Sequence, residues 1–191
     1  MVFPVTQGET YSFRVEARNS VGYSAFSNEV QILAGQVPDQ PLAPVTSIDG
    51  DNVEITWQAP NNRGTPITAY IIKIRQSDGV TYTEEPVSCD GSDSVIRSAL
   101  TCLVPIATVK TTPYSLPWGT NVHAKVTAVN LFGNSVESDA GNGAVILTVP
   151  DAPLSFINVP SVTNAYQIGL SWVEGQSNGG TTVLVFNIWY D

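Results

Sequence analysis

The sequence predicts an all-β protein made of tandem β-sandwich repeats, one complete and two partial. Three observations lead to this fold class. A long pattern recurs within the 191 residues, its segments alternate apolar and polar residues, and 13 prolines and 15 glycines are spread along the chain. Alternation with a period of two is typical of half-buried strands, and proline and glycine mark the turns between them. With 42% hydrophobic and 13% charged residues, the chain can build a core.

The repeat is visible as three pairs of matching segments. Residues 8–24 (GETYSFRVEARNSVGYS) match 119–135 (GTNVHAKVTAVNLFGNS), residues 37–41 (VPDQP) match 149–153 (VPDAP), and residues 55–57 (ITW) match 170–172 (LSW). Self-similarity of this kind is the signature of a repeat architecture. Because the pairs do not overlap, they predict the end of one repeat at 1–36, a whole repeat at 37–149 and the front of a third at 150–191.

Side chains alternate along each predicted strand, which indicates which residues face the core. In residues 11–17 the apolar residues Tyr, Phe, Val and Ala alternate with polar ones, and residues 122–128 repeat the pattern. Residues 53–57 and 70–74 alternate in the same way. An antiparallel sheet buries one face, so the alternate apolar positions point inward. The predicted core comprises Tyr11, Trp57, Tyr70, Ile72, Val126, Ala128 and Trp172.

These residues resemble the fibronectin type III pattern, which has a Trp on its second strand, a Tyr on its third and a late strand of the form Tyr-x-Phe-x-Val-x-Ala-x-Asn-x-x-Gly-x-Ser. Trp57 and Trp172 match the first feature, Tyr70 the second and residues 11–24 the third. The resemblance covers essentially the whole chain and implies tandem immunoglobulin-like sandwiches. In one departure, Val122 stands where the family has its corner tyrosine, so Trp118 or Tyr114 is expected to anchor the corner instead.

The chain has two cysteines, Cys89 and Cys102, and one histidine, His123. These are too few for a four-ligand zinc site. A disulfide is predicted, with two free buried thiols as the alternative, and a disulfide indicates an oxidising compartment. The cysteines bracket a polar insert that makes the repeat longer than the usual module. An insert stapled in this way resembles repeats found in very large ciliate-type cell-surface proteins.

Composition excludes several classes of partner. The net charge is −9 and the isoelectric point near 4.4, so nucleic acid is not an expected partner. No apolar run approaches the roughly 18 residues of a membrane helix, and no membrane span is predicted. The start of the chain lacks the pattern of a signal peptide, so we expect any signal to lie outside this segment.

Nothing in the sequence predicts catalysis, a cofactor or a metal site. His123 has outward parity on its strand and lacks the nucleophile and carboxylate motifs of a catalytic histidine. Asp90 and Asp93 could bind calcium, but their spacing fits no EF-hand loop. Residues 63–65 (Arg-Gly-Thr) lack the acidic third residue of an adhesion tripeptide, and Gly64 is better explained as a turn former.

The sequence predicts a non-catalytic structural or adhesive repeat segment of a large extracellular, cell-surface or filament-forming protein. Linkers are almost absent: residues 145–148 run directly into the proline-bearing segment 149–153, which favours a stiff rod. The alternative is a spacer or accessory module of a secreted carbohydrate-active enzyme. A third possibility, an intracellular scaffold of the muscle-protein type, would be favoured by reduced cysteines.

The predicted partners are other copies or neighbouring repeats of the same protein, with glycans or surface proteins as further candidates. Trp189 and Tyr190 fit a sugar-binding surface, although packing of a strand is the better account. The two partial ends would expose apolar faces and strand edges. Completion of one copy by another is the weaker alternative, because the positions equivalent to 76–111 would still be missing.

Overall fold

The computed structural model describes residues 2–191, which contain eleven strands and two short helices. All strand pairs are antiparallel, which confirms the all-β fold class. The elements in chain order are β1 Thr10–Phe13, β2 Val30–Leu33, β3 Val45–Asp49, β4 Asn52–Thr56, β5 Ala69–Arg75, β6 Tyr82–Glu84, α1 Ser94–Ala99, β7 Thr101–Pro105, α2 Ile106–Lys110, β8 Ala124–Asn130, β9 Gly133–Asn134, β10 Leu154–Asn158 and β11 Leu170–Val173.

Two of the sheets form a sandwich in the middle of the chain. One sheet has the order β3-β4-β7 and the other β6-β5-β8-β9. Alternate residues of the central strands are buried, because successive side chains of a strand point to opposite faces. Residues from both sheets make up one hydrophobic cluster, which includes Val53, Ile55, Trp57, Tyr70, Ile72, Ile74, Val104, Val122, Ala124, Val126 and Ala128.

Five of the seven predicted core residues lie in this cluster: Trp57, Tyr70, Ile72, Val126 and Ala128. The pairing of β5 with β8 sets Tyr70 opposite Ala128 and Ile72 opposite Val126. The rings of Trp57 and Tyr70 meet edge to face, with their centroids 5.4 Å apart. The interior therefore lies between β4, with Trp57 directly after it, and the strands β5 and β8 of the other sheet.

The other two predicted core residues, Tyr11 and Trp172, are instead only half-buried. Tyr11 lies in the two-stranded pair β1–β2 and Trp172 in the pair β10–β11. Within residues 2–191, each of these pairs is a sheet of its own, without the second layer that covers β4 and β5. The side chains have the inward parity that the pattern predicts, but they lack a facing sheet.

The matching positions Tyr11 and Val122 differ in how the chain is anchored beside them. The Tyr11 hydroxyl accepts the Thr6 N–H at 2.7 Å. At the matching position Val122 has no hydroxyl, and the Tyr114 hydroxyl donates instead to the Glu84 carbonyl at 2.9 Å. Burial, followed by the charges of the nearby Glu85 and Glu84, raises the pKa of Tyr114 to about 12. Tyr114 therefore anchors the segment after α2 to β6.

Thr46 in β3 ties three segments together inside the sandwich. Its hydroxyl donates to the Val122 carbonyl and accepts the Ala144 N–H, both at 2.9 Å. We expect Thr46→Val to lower the free energy of unfolding by about 2 kcal/mol, because two buried backbone groups lose their partner. Urea unfolding followed by circular dichroism measures this loss. Ser47→Ala, next to it on the exposed face, should change stability by less than about 0.5 kcal/mol, and an equal loss would contradict the assignment.

Candidate functional site

The two junctions between predicted repeats have the same pattern of backbone hydrogen bonds, and we take them as the candidate functional site. At the first, the Gln36 N–H donates to the Arg63 carbonyl at 3.0 Å. At the second, the Thr148 N–H donates to the Gly179 carbonyl at 2.9 Å. Each bond connects a linker to the turn that follows the tryptophan strand of the next repeat.

A second bond recurs three residues further along each linker. The Asp39 N–H donates to the Asn61 carbonyl at 3.0 Å, and the Asp151 N–H donates to the Ser177 carbonyl at 2.9 Å. Asp39 and Asp151 are matching residues of the repeated Val-Pro-Asp-x-Pro segment. The linkers are thus held to the following repeat by the same pair of bonds.

Each linker is also hydrogen-bonded to the predicted repeat before it. The Gly8 N–H donates to the Ala34 carbonyl at 2.8 Å, and the Ala34 N–H donates to the Glu9 carbonyl at 2.9 Å. In the second junction the Gly119 N–H donates to the Ile146 carbonyl at 2.8 Å. One residue therefore separates the bonds to the preceding repeat from those to the following one, which leaves almost no free backbone to act as a hinge.

Facing glycines allow the repeats to approach this closely. Gly64 has φ +105°, and a Cβ there would lie 2.9 Å from the Gly8 nitrogen and 2.8 Å from the Ala34 carbonyl oxygen. Gly180 has φ +90°, and its added Cβ would clash with the backbone of Gly119. Both positions need glycine for a positive φ and for close approach of backbone. We name these two contacts, Gly8–Gly64 and Gly119–Gly180, the glycine joints.

Side chains reinforce the first joint. The Asn130 amide donates to the carbonyls of Gln36 at 2.8 Å and Asn62 at 2.9 Å, so it links the linker to the turn beside it. The Arg63 Nε donates to Asp39 Oδ1 at 2.7 Å. That hydrogen bond, and then the charge of Asp39, raise the pKa of the Arg63 guanidinium. The Arg-Gly-Thr turn thus serves as part of the joint.

Cys89 and Cys102 are joined by a disulfide bond, with Cα atoms 5.2 Å apart. Cys102 lies in β7, in one sheet, whereas the insert that carries Cys89 runs beside β5 of the other sheet, where the Gly91 carbonyl accepts the Tyr70 N–H at 3.0 Å. Both cysteines are buried in the core. The bond therefore links the insert to the opposite sheet from inside the sandwich.

The carboxylates of Asp90 and Asp93 in the insert accept hydrogen bonds from residues close to them in sequence. The Ser92 hydroxyl and N–H donate to Asp90 at 2.7 and 2.9 Å, and these bonds lower the pKa of Asp90. Asp93 caps α1 by accepting the N–H groups of Val95 and Ile96. Within residues 2–191 there is no group of three or more residues of the types that could hold a metal ion.

His123 is half-buried directly before β8, and its carbonyl accepts the Arg75 N–H at 2.9 Å. Burial, and then the charge of Arg75, lower the pKa of His123. Across the described part of the chain, no helix is both long and apolar enough to cross a membrane.

Sequence analysis missed the glycine joints, although it contained a signal for them. Gly8 recurs as Gly119 at the start of the longest matching segment, and glycines follow both tryptophan strands. What the pattern does not contain is the contact between them, which joins parts of neighbouring repeats.

No family model matches the chain. Fibronectin type-III domain-containing protein 3A of Mus musculus is 33% identical over 88 residues, which are 44% of this chain and 7% of that protein. Cell adhesion molecule-related/down-regulated by oncogenes, also of Mus musculus, is 27% identical over 187 residues, covering 81% of this chain and 15% of that protein. M-protein, striated muscle, of Gallus gallus is 32% identical over 90 residues, covering 44% and 6%.

The chain thus spans only a small part of the length of the relatives it matches. Their names, with the antiparallel sandwich of residues 45–134, support the presence of fibronectin type III-like domains in the chain.

Proposed function

We propose that the chain is a non-catalytic structural or adhesive segment of a large protein, in which successive sandwich repeats are locked end to end as a stiff rod. The proposed repeats are residues 1–36, 37–149 and 150–191. The observation that carries the proposal is that both linkers are hydrogen-bonded to the repeat before and the repeat after them. A rod of this kind positions surfaces at fixed distances, which is what a fibre or an adhesive stalk requires.

The buried disulfide supports an extracellular or cell-surface location, since disulfides persist in oxidising compartments. The insert closed by the disulfide supports the narrower part of the proposal, which is that this chain is a segment of a very large cell-surface protein of the ciliate type. One relative is named for cell adhesion, which agrees with an adhesive role. Another is named for striated muscle, so the oxidation state of the cysteines in the native source is the measurement that decides the compartment.

The rod is tested by opening a glycine joint. We expect Gly64→Ala to push Gly8 and Ala34 away and to loosen the junction, because an added Cβ would meet their backbone atoms. Small-angle X-ray scattering of the full chain should then show a broader distribution of maximum dimensions than the wild type shows.

The matched control is Gly79→Ala. Gly79 also has a positive φ, +76°, but an added Cβ there meets nothing within 4 Å. Both variants place an alanine at a positive φ, so the control shows how much of any change comes from an unfavourable backbone conformation without a contact across the joint. A wild-type chain that is already flexible, or equal scattering from the two variants, would overturn the stiff rod.

A further inference from the structure

The outer face of the sheet β6-β5-β8-β9 carries a cluster of basic residues, which we name the basic face. Lys73, Arg75 and Lys125 point outward, because the residues that alternate with them are buried. They are three of only eight lysines and arginines in a chain whose net charge is −9. Lys73 and Lys125 lie directly opposite each other in register, and the Arg75 N–H donates to the His123 carbonyl beside them at 2.9 Å.

Like charges placed directly opposite across a strand pair destabilise a sheet. Two carboxylates offset this cost in part: Glu137 lies 2.9 Å from Lys73 and 3.0 Å from Lys125, and Glu84 of β6 lies opposite Lys73 in register, which leaves Arg75 as the basic residue of this face without a carboxylate beside it. Lys125 also lies over the Tyr82 ring, 4.6 Å from its centroid. Among residues 2–191, Arg75 has no acidic partner within salt-bridge distance.

The outer face of the other sheet, β3-β4-β7, has the opposite charge, and we name it the acidic face. Its strands read VTSID, NVEIT and TCLVP and contain no basic residue. Glu54 lies at the centre of this face, where it accepts hydrogen bonds from the hydroxyls of Ser47 at 3.0 Å and Thr101 at 3.4 Å. Asp49 ends β3 at the edge of the same face.

We propose that the complete repeat packs side by side with a second copy of this chain, with the basic face of one copy against the acidic face of the next. Charge complementarity identifies the occupant, since each copy carries both halves of the match. The two faces lie on opposite sides of one sandwich, so a pair leaves one face of each kind free and the contact can repeat in an open assembly. The inference extends the proposed rod by aligning stiff rods laterally.

The test uses the full chain in sedimentation equilibrium over a concentration series at about 0.15 M salt. At this ionic strength the screening length is about 8 Å, which suppresses the general repulsion between copies but leaves close pairs intact. We expect the wild type to associate beyond a dimer as concentration rises. Arg75→Glu and Glu54→Lys should each weaken the association by about tenfold or more, since each places like charges against each other.

The double variant Arg75→Glu/Glu54→Lys exchanges the sign of one charge on each face and keeps the net charge of the wild type. We expect it to restore association, which neither a folding defect nor a change of net charge can explain. Arg18→Glu is the control: it changes net charge as much as Arg75→Glu does but lies outside the sandwich, on an exposed residue beside Tyr23. It should associate much as the wild type does.

A wild type that stays monomeric throughout the series would overturn the proposal, as would a double variant no better than its parents. If none of these substitutions alters the association, the exposed apolar ends of the chain make the contact, and the proposed contact between the two faces is wrong. Binding of an anionic polysaccharide through Arg75 by a monomeric wild type would replace the second copy by a glycan. Scattering reports on the joints separately, so a flexible chain that still associates through its faces would refute only the rod.

Discussion

Replacing Trp57 by alanine should lower the free energy of unfolding of the chain by about 3–5 kcal/mol, the largest loss expected for any single core residue. Trp57 is 5% exposed and packs edge to face on Tyr70 with a ring separation of 5.4 Å. Alanine would leave a cavity between the two sheets and would remove the aromatic pair. Such a pair contributes about 0.5–1.5 kcal/mol beyond the burial of area.

The chain contains its own control for this experiment. Trp172 occupies the matching position in the segment 170–172, but it is only half-buried, against Phe156 and Phe186 at ring separations of 6.5 and 5.6 Å. Trp172→Ala should therefore cost much less than Trp57→Ala. Urea unfolding followed by far-ultraviolet circular dichroism compares the two variants without relying on tryptophan fluorescence.

Equal losses from the two substitutions would mean that Trp172 is as deeply covered in solution as Trp57. If Trp57→Ala left the free energy of unfolding unchanged, the sandwich could not depend on the interior that its two sheets share. Trp57→Phe, which keeps most of the ring, should fall between alanine and the wild type, and this order separates loss of volume from a general folding failure.

The contrast between these tryptophans also shows how far sequence alternation can predict a core. A period of two assigns each side chain to a face, and it did so correctly for the strands β4, β5 and β8. It does not say whether another sheet covers that face. Trp57 and Tyr70 lie in the cluster shared by two facing sheets, whereas Tyr11 and Trp172 keep the same parity in two-stranded sheets without a second layer.

The insert could be predicted only in part, for a different reason. Two cysteines in a polar stretch indicated a closed loop, but α1 is a short helix of six residues with no periodic pattern. Its start depends on the Asp93 cap, which is a local signal that sequence contains. Its position depends on the bond from the Tyr70 N–H to the Gly91 carbonyl, which joins a loop to a strand and leaves no mark in the local sequence.

The glycine joints could also be predicted only in part. Matching glycines are plain in the repeat, and their usual role is to supply a positive φ in a turn. That role explains Gly64 and Gly180 within one repeat, so the pattern alone favours a turn former. The contacts of Gly64 with Gly8, and of Gly180 with Gly119, depend on how neighbouring repeats meet, and only the three-dimensional arrangement contains that information.

Removing the disulfide should be the second large effect. Replacing both Cys89 and Cys102 by alanine should lower the free energy of unfolding by about 3 kcal/mol, since the bond closes a loop across a sequence separation of 13 residues. Urea unfolding of the variant measures the loss. The intact mass of the wild type should be two hydrogens below that of its fully reduced form.

Reduction of the wild type after unfolding should produce the same loss as the double substitution, and the double variant should be insensitive to reductant. Both cysteines are buried, at 1% and 4% exposure, so the native protein should resist reduction until it opens. Two thiols that titrate in the native protein would contradict the bond. If the bond is present but its removal costs nothing, α1 and the Gly91 contact already order the insert, and the disulfide then supports the oxidising compartment without supporting the fold.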